Sequence, residues 1–179
     1  MKHILLSGRR NSGKTALFNR LLARCRMPVY GFLTGITETD PEGWHRVHML
    51  PADGSPGEPN GENFVCRCNT RQREVNLRVF ETLGVRLLDA ARPDGILVMD
   101  ELGFIEADAP TFCDRVFRRL DGDIPILATV RDATLECEFL DRVRAHPRAA
   151  LYNVTPDGAE ALYEQLLPVV EGWNEVLKC

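Results

Sequence analysis

Long apolar stretches are absent from this chain, and no segment approaches the ~18 consecutive apolar residues of a membrane span. After Met1-Lys2-His3 only Ile4 to Leu6 precede Ser7, too short a run for the core of a signal peptide. An excess of positive charge is missing too. The 22 basic and 26 acidic side chains leave −4, so no general field exists to hold a nucleic-acid backbone or an anionic membrane surface, and phosphate recognition has to be local. Internal repeats and low-complexity tracts are lacking. These absences predict a cytoplasmic protein that binds neither nucleic acid nor membrane, and they name no protein partner.

Cysteine is present, at Cys25, Cys66, Cys68, Cys113, Cys137 and Cys179, but without an export signal reduced thiols are expected rather than a disulfide framework. Cys66 and Cys68 share a face if their segment is a strand. With no second pair and no histidine at ligand spacing, they read as two small apolar side chains more than as a metal site. The remaining composition, 44% apolar and 27% charged over 179 residues, is that of one folded domain spanning the chain.

The apolar run Lys2 to Ser7 ends in glycine, and helical spacing follows at Leu17, Phe18, Leu21, Leu22 and Cys25. Three β segments are expected next, Val29 to Ile36, Trp44 to Leu50 and Phe64 to Cys68, with a mobile loop from Pro51 to Asn63 that holds three prolines and three glycines. Leu77, Phe80, Leu87 and Ala91 mark a helix, Ile96 to Met99 a buried strand, and Phe112, Val116, Phe117 and Leu120 another helix. Strand Ile124 to Val130, a helical stripe at Leu135, Phe139, Leu140 and Val143, and strand Ala149 to Val154 follow. The last helix is expected to be capped by Thr155, with Pro156 and Asp157 in its first turn, and to run to about Val170. Strands alternating with helices predict a mostly parallel α/β sheet covered on both faces, with ligands at the carboxyl ends of the strands.

Gly8-Arg9-Arg10-Asn11-Ser12-Gly13-Lys14-Thr15 matches G-x-x-x-x-G-K-[ST], the Walker A phosphate loop, immediately after an apolar strand and before a helix. Gly8 and Gly13 let the backbone turn toward phosphates, so that loop N–H groups from Gly8 to Ala16 and the helix N-terminus face the anion. Lys14 would bridge the β- and γ-phosphates and have no other strong partner, and the Thr15 hydroxyl would ligate Mg²⁺. Arg9 and Arg10 either reach the ligand or are solvated.

Ile96 to Met99 delivers Asp100 and Glu101 to the end of a buried strand, the arrangement of a Walker B motif. Asp100 would hold Mg²⁺ through a water, and Glu101 would polarise the attacking water. Arg131, at the end of strand Ile124 to Val130, would stabilise charge on the transferring phosphoryl group, or else pair with a neighbouring acid. Asp100-Glu101-Leu102-Gly103 also fits the D-x-x-G of switch GTPases, but Asn153-Val154-Thr155-Pro156 stands where their N-K-x-D would be and lacks its lysine and acid.

Together with Gly31-Phe32-Leu33-Thr34, Asp100-Glu101-Leu102-Gly103-Phe104-Ile105-Glu106 and Leu127-Ala128-Thr129-Val130, the phosphate loop resembles the small P-loop nucleoside triphosphatases of the cancer-related nucleoside-triphosphatase family. The run D-E-[IL]-G-x-[MI]-E is its most specific marker. The resemblance implies a RecA-like P-loop sheet, with a strand inserted between the Walker A and Walker B strands and a β-hairpin inserted between the first helix and the Walker B strand. It also implies Mg²⁺-dependent cleavage of ATP, GTP and other triphosphates to diphosphate and phosphate, with loose base selectivity. Glu101 would be the catalytic acid, and Glu106 a supporting carboxylate or a helix-start acid. Asn11 replaces the family's third loop glycine, and Pro51 to Arg73 matches poorly. Two rival readings stay open: a nucleotide or metabolite kinase with an acceptor site near Arg115, Arg118, Arg119 and Arg131, and a regulatory switch working through the Pro51 to Asn63 loop.

Overall fold

A computed structural model describes residues 3–37, 39–55, 58–132 and 136–176. Met1, Lys2, Leu135 and Cys179, named above, lie outside them, as do Pro56 and Gly57 of the stretch from Pro51 to Asn63. Strands β1 (His3–Ser7), β2 (Val29–Ile36), β3 (His45–Pro51), β4 (Phe64–Cys68), β5 (Arg73–Val75), β6 (Ile96–Leu102), β7 (Ile126–Val130) and β8 (Ala149–Asn153) form one sheet in the order β5-β4-β3-β2-β6-β7-β1-β8. The half from β2 to β8 is parallel, and β3, β4 and β5 extend it antiparallel beyond β2. β7 lies between the strand before the phosphate loop, β1, and the strand bearing the acids, β6, which is the insertion that the resemblance implies.

Period-two alternation sorts the central strands onto two cores. Ile4, Leu6, Ile96, Val98 and Leu127 face helix α1 (Lys14–Leu22) and helix α5 (Ala159–Val176), packing on Leu17, Phe18, Leu21, Leu166, Val170 and Trp173. Leu5, Leu97, Met99, Ile126, Ala128 and Val130 face the other way, toward α2 (Val85–Asp89), α3 (Pro110–Leu120) and α4 (Glu138–Arg144). Each large apolar side chain so buried contributes about 1.5–3 kcal/mol, so β1, β6 and β7, apolar on both faces, are held rigidly.

Some local expectations shift. The inserted β structure is larger than a hairpin: β2 joins the parallel sheet, and the antiparallel part gains β5, whose exposed Arg-Glu-Val has no apolar face to reveal it. A π turn at Phe80–Gly84 precedes α2, and its wider winding rotates the buried face, so Leu88 is buried and Leu87 only partly, while Leu77 is exposed. Thr155 caps a turn rather than the helix itself, its Oγ1 accepting the Gly158 N–H at 3.2 Å; α5 starts at Ala159 and continues past Pro168 to Val176. In the loop expected to be mobile, Glu58 to Asn63 is held: Asn63 Oδ1 accepts from Asn60 N–H at 2.9 Å, and Asn63 Nδ2 donates to the Glu58 carbonyl at 2.8 Å. No helix among the described residues is long and apolar enough to cross a membrane.

Candidate active site

The loop between β1 and α1 is shaped by three unusual backbone positions. Gly8 has φ 150°, and a Cβ there would stand 2.4 Å from the Val154 carbonyl oxygen, so only glycine lets the loop lie against the end of β8. Asn11 is left-handed with φ 62°, a conformation that its short polar side chain tolerates better than most. Gly13, with φ 92°, turns the chain into α1 without a side-chain cap. The first N–H groups of that helix therefore face the loop's concavity, where an anion satisfies them. Ser12 is buried, and its hydroxyl has no partner among the described residues.

Lys14 is not without partners, contrary to expectation: its Nζ donates to the carbonyl oxygens of Gly8 at 2.5 Å and Arg9 at 2.9 Å. These bonds lay the ammonium along the loop. Thr15 and Ala16 are exposed on the first turn of α1, and Arg9 and Arg10 are exposed with no ion pair among the described residues.

The acids sit on a bulge. Pairing between β6 and β7 slips between Met99 and Leu102, and Glu101 takes the left-handed φ of 63°, a conformation that costs of order 1 kcal/mol or more for such a residue. Thr129 spans the bulge, its Oγ1 accepting the Glu101 N–H at 2.6 Å and donating to Asp100 Oδ1 at 3.0 Å. Thr34 adds an N–H to Asp100 Oδ2 at 3.1 Å and a hydroxyl to the Asp100 carbonyl at 2.9 Å. Burial pushes the Asp100 carboxyl above its usual range, and the bonds from Thr34 and Thr129 pull the other way. The outcome is one fixed, half-buried acid beside one exposed acid.

Glu106 is the third acid of the motif, and it turns inward. It opens a 3₁₀ turn, Glu106–Asp108, is 4% exposed, and its Oε1 accepts the Gly103 N–H at 2.6 Å. Burial pushes its carboxyl up to about 7, against the opposing pull of that N–H and of Arg131. It stands at the start of a helical turn and also in the wall of the cleft described below, so its position fits both roles expected of it.

A cleft of about 990 Å³ connects these groups, lined among others by Arg10, Lys14, Thr15, Asp100, Glu101 and Arg131. A smaller one of about 480 Å³ lies on the other side of the loop, against Gly8, Arg9, Ser12, Asn153, Thr155 and Pro156. The larger cleft runs on over the antiparallel strands to His45, Cys66, Cys68 and the turn Asn69 to Arg73, none of which local sequence pattern places near the phosphate loop. A histidine does lie beside the thiols: His45 pairs with Cys68 in register, and its Nε2 is 3.1 Å from Cys68 Sγ. Cys66 belongs to the core, where burial pushes its thiol up to about 11. Among the described residues no group of three or more His, Cys, Asp or Glu could hold a metal. Arg115 and Arg119 pair with Asp89, Arg118 pairs with Asp114 along its helix, and none of the three lines either cleft.

A phosphate loop after β1, an acid pair ending β6, and a strand between the two define a RecA-like P-loop protein that binds nucleoside triphosphates. The NTPase family model matches residues 3–167. The chain belongs to that family, and is with it a nucleoside-triphosphate hydrolase. Among curated relatives, a nucleoside-triphosphatase THEP1 of Thermofilum pendens is 29% identical over 175 residues, covering 92% of this chain and 93% of its own. Its namesake from Thermotoga petrophila is 25% identical over 171 residues, covering 94% and 92%. Among solved structures, the crystal structure of THEP1 from Aquifex aeolicus matches with a TM-score of 0.72 at 22% identity, over 96% of this chain and 99% of that one. The solution structure of a human cancer-related nucleoside triphosphatase matches with 0.67 at 24%, over 96% and 98%. These two likenesses concern the fold.

Proposed function

We propose that this NTPase cleaves Mg²⁺-bound nucleoside triphosphates to diphosphate and phosphate with loose base selectivity, and that Glu101 is the residue that activates the attacking water. The carrying observation is the bulge that puts Glu101 in a left-handed conformation, exposed into the cleft shared with Lys14 and Thr15, while Asp100 is anchored by Thr34 and Thr129. The loop N–H groups and Lys14 bind the phosphates, with Lys14 transferring from its carbonyl contacts to the ligand. Glu101 accepts a proton as the water oxygen bonds to the γ-phosphorus and the bond to the β-phosphate oxygen breaks. Arg131 takes up charge on the transferred group.

Thr15 and Asp100 offer hard oxygen donors in the cleft, and the Asp100 carboxylate is half-buried with no cationic partner among the described residues, which fits Mg²⁺. The lack of a larger ligand cluster fits too, since Mg²⁺ is usually held by one or two carboxylates, waters and the substrate's own phosphates. When bound, the ion would neutralise charge on the β- and γ-phosphates. The base would rest in the smaller cleft, whose Asn153 and Thr155 supply few directional contacts. A cytoplasmic site of action, with no nucleic-acid or membrane partner, completes this reading.

The test is phosphate release from ATP, GTP, CTP and UTP with and without Mg²⁺. Release from all, lost on chelation and spread over about an order of magnitude in kcat/KM, or ~1.4 kcal/mol, is the expected outcome. A strong preference for one base in competition would overturn the selectivity; activity in excess chelator would overturn the role of Mg²⁺.

A further inference from the structure

Phe104, three residues beyond Glu101, has two guanidinium groups against its ring: Arg73 Cζ lies 4.7 Å and Arg131 Cζ 5.2 Å from the ring centroid. They arrive from far apart in the fold. Arg131 follows β7 at the centre of the sheet, whereas Arg73 opens β5 at its antiparallel edge. Both line the cleft that holds Lys14, Thr15 and Glu101, and neither has an ion pair with a carboxylate among the described residues.

The ring distances put the two charges within about 10 Å of each other, about one Debye length at 0.1 M salt, so solvent ions only partly screen their repulsion. A cation–π contact at an exposed site is worth about 0.5–1 kcal/mol and orients a guanidinium without neutralising it. Glu106, which feels Arg131, is held by burial at a carboxyl value near 7 and is therefore an incomplete counter-charge. Two cations on one ring, neither ion-paired with a carboxylate among the described residues, are an arrangement completed by an anion. Planar guanidinium groups offer paired N–H donors that suit phosphoryl oxygens.

We propose that Arg73 and Arg131 form a clamp for the γ-phosphoryl group of the bound triphosphate, with Phe104 as the positioning residue that holds both arms. The antiparallel extension thereby supplies part of the catalytic centre. This rests on the hydrolase reading above. The clamp donates hydrogen bonds to the equatorial oxygens as the bond to the β-phosphate breaks, so its effect belongs to the transition state more than to substrate binding.

The test compares the wild type with Arg73→Ala, Arg73→Lys, Phe104→Leu, Phe104→Tyr, Glu101→Gln and, as a control on the same extension, Arg46→Ala, whose exposed side chain does not line the cleft. The readouts are kcat and KM for phosphate release, and affinity for ADP with and without aluminium fluoride. A single such donor is typically worth ~10²–10³-fold in kcat. Arg73→Ala should lose at least tenfold in kcat, with KM and ADP affinity within about threefold, and should lose affinity for the ADP–aluminium fluoride complex in proportion. Arg73→Lys should recover little of this, Phe104→Leu should split kcat from KM in the same way, Phe104→Tyr should restore it, and Arg46→Ala should match the wild type. If Glu101→Gln is inactive while folded Arg73→Ala keeps its kcat within twofold, or loses ADP affinity as much as turnover, the clamp is wrong and the hydrolase reading stands. A wild type that releases no phosphate from any nucleotide would overturn both.

Discussion

The Gly103 N–H donates to Glu106 Oε1 at 2.6 Å, inside a turn that buries the carboxylate almost completely. This bond accounts for the glycine and the second acid of the D-E-[IL]-G-x-[MI]-E run as one unit. A Cβ on residue 103 would stand 3.4 Å from Glu106 Oε2, so the bare glycine leaves the acid room to reach its backbone, and Glu106 braces the loop after Glu101 from the wall of the cleft.

A pH signature follows. The carboxyl of Glu106 rises from 4.5 to about 7 on folding, chiefly through burial. A raised folded value means that the neutral form is favoured in the folded state. Its contribution is therefore full below about pH 4.5 and is lost as pH rises through about 7. Between those two values the stability changes by roughly 3 kcal/mol, at ~1.4 kcal/mol for each tenfold change in proton activity. Glu106→Gln keeps an oxygen for Gly103 but cannot ionise. Denaturant melts across pH 5–8 should show the wild type losing stability relative to the variant as pH rises, while the variant keeps activity within about tenfold, less than general-base loss requires. A dead Glu106→Gln with active Glu101→Gln would exchange the two roles.

Glu101→Gln should bind triphosphate as tightly as the wild type or more so, and lose ~10²–10⁴-fold in kcat, the range of general-base assistance. Glu101→Gly tests the strain. Glycine adopts φ 63° freely, so this variant should be inactive yet melt no lower than the wild type. A large fall in melting temperature would show that the left-handed backbone is not what the side chain opposes.

Thr129 ties both acids, and Thr129→Val keeps its shape while removing the hydroxyl. The Glu101 N–H then loses an acceptor 2.6 Å away in a part-buried bond, a change that costs about 0.5–1.5 kcal/mol. Stability and kcat should fall together, and Thr129→Ser should restore both. Full activity in the valine variant would mean that the bulge holds itself.

Lys14→Ala should abolish tight triphosphate binding in isothermal titration. Its folded-state bonds to the Gly8 and Arg9 carbonyls are replaceable by water, so the melting temperature should drop only slightly. Near-normal ATP affinity would remove the loop from the site.

Asp100→Asn disturbs the acid proposed to hold Mg²⁺, so affinity and turnover should both fall, and raising Mg²⁺ in the phosphate-release assay should recover part of the loss. Recovery to wild-type values with no change in Mg²⁺ dependence would show that Asp100 is structural.

The phosphate loop, the acid pair and the two-faced central strands were legible in order along the chain, because each rests on neighbouring residues. Gly8 to Thr15 is contiguous, Asp100 follows its apolar strand directly, and the alternation that splits Leu5 from Ile4 and Leu6 is local. Asn11 in a left-handed turn was foreseeable from residue type alone. What only the tertiary structure decided depends on residues that meet across the sheet. Thr129 braces Asp100 and Glu101 from β7, Thr34 does so from β2, and His45 reaches Cys68 through strand pairing rather than ligand spacing. Arg73 was hidden because β5 is too short and too charged to show a period, and its place against Phe104 comes from the antiparallel meander folding back over the cleft. Glu106 could be read as either a helix-start acid or a supporting carboxylate; only the fold decided what it touches, because a carboxylate removed from water takes the nearest N–H, here that of Gly103, and holds its proton to higher pH.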